Sequence, residues 1–129
     1  MSAPHSHATR VLLVGYASAD RERLERELSA RHYDLTVAGS ELEAVRLLDR
    51  ERIAAVLLDL AAPELDGLRS VRHLCASTAG TAVIVLTAVN DAAVAASCFR
   101  EGAADYLLQP ADPAALDATL QAAVQRRRA

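Results

Sequence analysis

A chain of 129 residues fits one domain. At 52% hydrophobic but only 3% aromatic, with no Trp, it is expected to build a sizeable aliphatic core. The formal net charge of −3 argues against direct nucleic-acid binding as its main business, and its apolar runs fall far short of the ~18 residues a membrane span needs.

The first ten residues, "MSAPHSHATR", lack the apolar core of a secretory signal, so a cytoplasmic location is expected. Residues 1–9 read as a flexible tail ahead of one domain over 10–129. His5 and His7 could ligate a metal, but solvated tail histidines are the simpler reading. "RVLLVG" is a first strand. "ADRERLERELSARH" places Leu24 and Leu28 on one face of a first helix. "YDLTVA" is a second strand. "SELEAVRLLDRER" opens a helix with Ser40 and Glu43 at capping-box spacing and carries Val45 and Leu48 on its apolar stripe. "IAAVLLD" is a third strand, apolar on both faces, and delivers Asp59 to its end. Pro63 and the pair Asp66-Gly67 follow in a loop. "DGLRSVRHLCAS" is helical, with Leu68, Val71, Leu74 and Cys75 in register. "TAVIVLT" is a fourth strand. "NDAAVAASCFREG" is a helix that stops at Gly102. "ADYLLQ" is a fifth strand, and "DPAALDATLQAAVQRRR" a last helix with Asp112 as N-cap and Pro113 at its first position. Arg126 to Arg128 suit a helix C-terminus. Cys75 and Cys98, each on a predicted helix, read as reduced small core residues.

Strands apolar on both faces need cover on both faces. Strict alternation of strand and helix then gives an α/β fold, a doubly wound parallel sheet with right-handed crossovers. In such a sheet, ligands bind beyond the carboxyl ends of the strands. Those ends carry Gly15, Tyr16, Ala17 and Ser18, then Asp59, Thr87, and Gln109 with Pro110.

The stretches "VLLDLAAPELDGL", "VIVLTA" and "GAADYLLQPAD" resemble the receiver domain of bacterial two-component response regulators, in order and spacing, from about Arg10 to Ala123. The resemblance implies a flavodoxin-like (βα)5 fold with strand order 2-1-3-4-5, and a signalling module rather than an enzyme. It makes Asp59 the phosphoacceptor position, served by a histidine kinase. Thr87 would receive the phosphate oxygens, and Tyr106 would swing inward as the switch aromatic. It implies a cis peptide before Pro110. It also implies an output or dimerisation face made by helix four, strand five and helix five.

Two parts of that pattern are missing. The acidic pair that holds Mg²⁺ at the end of strand one aligns with Gly15 and Tyr16. The lysine before the Pro aligns with Gln109, and all fourteen basic residues are Arg. Mg²⁺ wants near-octahedral oxygen ligands, commonly including carboxylates. What remains is Asp59 and a main-chain carbonyl near Ala61, since Asp20 and Glu64 lie off the matched ligand positions. Binding of Mg²⁺ is therefore expected to be lost or weak, with no other cofactor. Gln109 could donate a hydrogen bond to Asp59 but brings no charge. Tyr16 either fills the metal space and bonds to Asp59, or points away to solvent or the first helix.

Three functions stay open. The leading one is an atypical receiver, a pseudo-receiver acting on a protein partner, which includes a second copy in a homodimer, or through a ligand, without aspartyl phosphorylation. The second is a working phosphoacceptor. The third is a flavodoxin-like binder of a nucleotide or other small molecule, with "GYASAD" cradling an anion at a helix start.

Overall fold

The computed structural model describes residues 8–15, 18–60, 67–78, 80–88 and 90–128. Tyr16, Ala61, Pro63, Glu64 and Asp66, like His5 and His7, lie outside the described residues. Five strands and five helices alternate: β1 (Arg10–Val14), α1 (Ala19–Ala30), β2 (Asp34–Ala38), α2 (Glu41–Arg50), β3 (Ala55–Asp59), α3 (Gly67–Ser77), β4 (Ala82–Thr87), α4 (Ala92–Arg100), β5 (Asp105–Leu108) and α5 (Pro113–Arg128). All strand pairings are parallel, and the order is β2-β1-β3-β4-β5.

The two-residue side-chain period of a strand sorts the core into two layers. Val11, Leu13, Leu57, Ile84 and Leu86 pack under Leu24 and Leu28 of α1 and Leu116 and Leu120 of α5. Leu12, Val56, Leu58, Val83 and Val85 pack under Ala44 of α2, Val71 and Leu74 of α3 and Cys98 of α4. Every residue of β3 and β4 is buried, which is why both read as uninterrupted apolar runs. Cys98 is buried, Cys75 half-buried, and both are free thiols.

Local chemistry ends the helices where the sheet needs them to end. At α2, the Ser40 hydroxyl accepts from the Glu43 amide at 3.2 Å, while the Glu43 carboxylate accepts from the Gly39 amide at 3.1 Å. The return arm thus reaches one residue before the cap. At the end of α4, the Gly102 amide donates to Phe99 O (3.0 Å) and the Ala103 amide to Cys98 O (3.1 Å), a Schellman closure. Gly102 sits at φ +112°, and a Cβ there would lie 3.1 Å from Cys75 Cβ and 3.2 Å from its sulfur. Backbone strain and this contact act together, so Gly102→Ala is expected to lower stability by roughly 1–3 kcal/mol in urea denaturation. No change would show that the chain relaxes there freely.

The α1 end closes the same way around His32 at φ 68°. It delivers Tyr33 to α5, where its hydroxyl donates to Asp117. Asp117 also accepts from Gln121 (3.2 Å) and faces Arg31 (3.5 Å). Burial, then the bond to Asp117 and its charge, push the Tyr33 phenol above its usual pKa. A raised phenol pKa means the neutral form is the stabilising one. Its contribution is complete below the unfolded value of 10.0 and disappears as pH climbs toward the folded value. Tyr33→Phe is expected to cost about 0.5–1.5 kcal/mol near neutrality. It should also flatten the alkaline fall in stability, which denaturation over a pH series would measure.

Candidate functional site

The strand ladders continue one residue past β1, β3 and β5, and this fixes the site. The Gly15 amide donates to Ala38 O (3.0 Å), the Leu60 amide to Leu86 O (2.8 Å) and the Gln109 amide to Thr87 O (2.8 Å). Gly15, Asp59 and Gln109 are thereby brought together. A Cβ on Gly15 would lie 3.1 Å from Asp59 Cβ and 3.5 Å from Asp59 Oδ2, so the carboxylate rests directly against the glycine. From the other side, Gln109 Nε2 donates to Asp59 Oδ1 at 2.9 Å. The Gln109–Pro110 peptide is cis. Asp59 is 6% exposed and Thr87 4%, so both are nearly withdrawn from solvent although polar.

Strand alternation divides these residues. Gly15, Asp59 and Gln109 continue the α1/α5 face, whereas Thr87 and Tyr106 continue the face covered by α2, α3 and α4. Tyr106 packs half-buried against that second layer, and burial followed by the nearby Cys98 and Asp91 raises its phenol pKa.

Arg21 completes the described pocket, and the sequence reading missed it. Ser18 caps α1 by accepting from the Arg21 amide at 3.1 Å. A side chain three residues inside a helix leans back toward its N-terminus. Arg21 therefore reaches the end of β1 and donates to Gly15 O at 2.9 Å. The Ser18 cap and the three-residue spacing were the available signal. Asp20 is exposed in the first turn of α1. Among the described residues, no cluster of three His, Cys, Asp or Glu side chains suits a metal, and no helix is long and apolar enough to cross a membrane.

Residues 11–121 match the response regulator receiver domain family. This chain belongs to that family. The receiver is 34% identical over 117 residues to the response regulator MprA of Mycobacterium leprae, covering 91% of this chain and 51% of the relative. Against MprA of Mycobacterium ulcerans it is 33% identical over 119 residues, covering 92% and 51%. It thus spans about half the length of these curated relatives. The signal receiver domain of an HD domain-containing protein from Pseudomonas fluorescens Pf-5 superposes with a TM-score of 0.83 at 26% identity, over 94% of this chain and 90% of that one. A response regulator from Burkholderia pseudomallei, solved with a phosphorylated aspartic acid, calcium ion and citrate, gives 0.79 at 26% identity, over 93% and 71%. A receiver domain protein from Methanospirillum hungatei JF-1 shares the fold with a TM-score of 0.83 at 18% identity, over 94% and 97%. The chain is a signalling receiver domain of the two-component type, with the five-stranded order expected from its sequence.

Proposed function

We propose that this receiver is atypical: it controls an output through protein contact or ligand binding, without phosphorylation of Asp59 and without catalytic activity of its own. The observation that carries the reading is the packing around the carboxylate. A glycine rests on Asp59 where the family pattern has an acid, and a neutral amide bonds to it where the pattern has an ammonium. Phosphoryl transfer to a carboxylate brings anions together, and catalysis is largely the positioning and neutralising of that charge. The described part of the pocket supplies one carboxylate, a poor fit to Mg²⁺. Tyr16 belongs to the same reading as a bulky replacement at the second acid position.

Output is assigned to the face of α4, β5 and α5. Phe99 on α4 and Leu108 on β5 expose 47% and 41% of their surface. The occupant is an output domain, another protein or a second copy of the receiver. Asp59→Asn is expected to leave binding and output within about twofold of the parent, because the amide replaces a group the mechanism does not use. Phe99→Glu should abolish both, since an added charge would have to be desolvated in the contact. Loss of output in Asp59→Asn, with the fold intact by circular dichroism, would sink the proposal.

The second reading keeps Asp59 as a phosphoacceptor for a histidine kinase. Its support is that Asp59 and Thr87 stand at the ends of adjoining strands, with Tyr106 on the next strand, and that a 26%-identical relative was solved with a phosphorylated aspartate. Acetyl phosphate with Mg²⁺, followed by intact-mass measurement, separates the two readings.

A further inference from the structure

The end of the sheet opposite Asp59 holds a groove of about 720 Å³, a volume in the range of small-molecule sites. Ile53 and Thr81, at the starts of the two central strands, contribute to its lining. Arg52 enters from the end of α2, in one helical layer, and Arg127 from the end of α5, in the other. Both are exposed, and neither has a hydrogen bond or ion pair among the described residues. Arg10, also at the groove, is committed to Glu51 and Asp34. Two guanidiniums therefore remain for a guest.

The ordinary explanation of such cations is the negative end of a helix dipole, and α2, α3 and α5 all end here. That accounts for a cation on each helix. It does not account for two from opposite layers converging on one groove. In the last turn of α3, Ser77 Oγ donates to His73 O at 2.8 Å and Thr78 Oγ1 to Leu74 O at 3.0 Å. Thr81 Oγ1 likewise donates to Ile53 O at 2.8 Å. With their protons used internally, these hydroxyls offer the groove only acceptor lone pairs. The guest should combine anionic oxygens for the guanidinium forks with hydroxyl donors for the acceptors.

The geometry points to a second ligand site at the amino end of the sheet, taking a small hydroxyl-bearing organic phosphate. This site stands whether or not Asp59 accepts a phosphoryl group. Fructose bisphosphate is the probe, titrated into the whole chain at fixed ionic strength with amide NMR shifts as readout. Saturable shifts at Ile53, Ala54 and Thr81 are expected. Arg52→Gln with Arg127→Gln should weaken binding at least about tenfold, and Asp59→Asn should leave it unchanged. Inorganic pyrophosphate, which has the charge without the hydroxyls, should bind more weakly. Both arginines are exposed, so an otherwise unaltered amide spectrum will show that the double variant is folded. Absence of saturable shifts, shifts centred on the Asp59 pocket, or affinity indifferent to the double substitution would each overturn the assignment.

Discussion

Gly15→Asp, Tyr16→Asp and Gln109→Lys together are expected to yield a protein that takes one phosphoryl group from acetyl phosphate when Mg²⁺ is present, whereas the parent chain takes none. The carboxylate and the hydroxyl that the family pattern calls for are present as Asp59 and Thr87, at the ends of the adjoining strands β3 and β4. On the proposed reading, what the described pocket lacks is a second carboxylate for a cation and an ammonium on Asp59. Gln109 already gives Asp59 one hydrogen bond, so the lysine adds the difference between a neutral and a charged donor, about 1 kcal/mol or more, which is several-fold in rate if realised only in the transition state. The acids add the oxygen ligands a hard cation needs. Space is the main obstacle: a side chain at 15 starts 3.1 Å from Asp59 Cβ, so Asp59 must yield by a few tenths of an ångström. Intact mass after incubation reads the result. A parent chain phosphorylated as fully as the triple variant would show that the native pocket needs none of these groups.

Leu57→Ala should cost more stability than either Gly102→Ala or Tyr33→Phe, about 2–5 kcal/mol. Leu57 is fully buried in the central strand, between neighbours on β1 and β4 and beneath the α1/α5 layer. Close packing from both sides keeps the cavity from collapsing. Set against a typical total of about 5–15 kcal/mol, that is a large fraction of the fold. Leu42, 60% exposed at the start of α2, is the control, and Leu42→Ala should stay within about 0.5 kcal/mol. Chemical denaturation of the two leucine variants side by side would test the contrast, and equal losses would mean that burial is not what distinguishes them.

The elements were legible because local and global signals agree in this chain. Ser40 with Glu43, Gly102, and Asp112 with Pro113 each mark a helix end that the backbone respects. The runs around Leu57 and Ile84 could only be strands covered twice. Strand ends were less legible, by a residue or two: "IAAVLLD" pairs from Ala55 rather than Ile53. Pairing at an end depends on the neighbour's register, which composition does not carry. At the site, the contact of Gln109 with Asp59 could be anticipated from the aligned lysine position. The bond from Arg21 to Gly15 was signalled only by the Ser18 cap and its three-residue spacing, because a side-chain-to-carbonyl contact across a loop leaves no periodicity. Nor does periodicity reveal the groove lined by Arg52 and Arg127, which exists only once two helices from different layers end at the same edge of the sheet.

The division of the site between the two faces of the sheet has an evolutionary consequence. The sheet acts as a bulkhead. Strand alternation puts Gly15, Asp59 and Gln109 on one side of it, and Thr87 and Tyr106 on the other. Replacing an acid by Gly15 or an ammonium by Gln109 alters one compartment and leaves the packing of Tyr106 against the other layer untouched. On the proposed reading, the input chemistry of such a domain can decay while the face around Tyr106 keeps its shape. A chain of this architecture can therefore outlive its original signal and be recruited by a new one without being rebuilt.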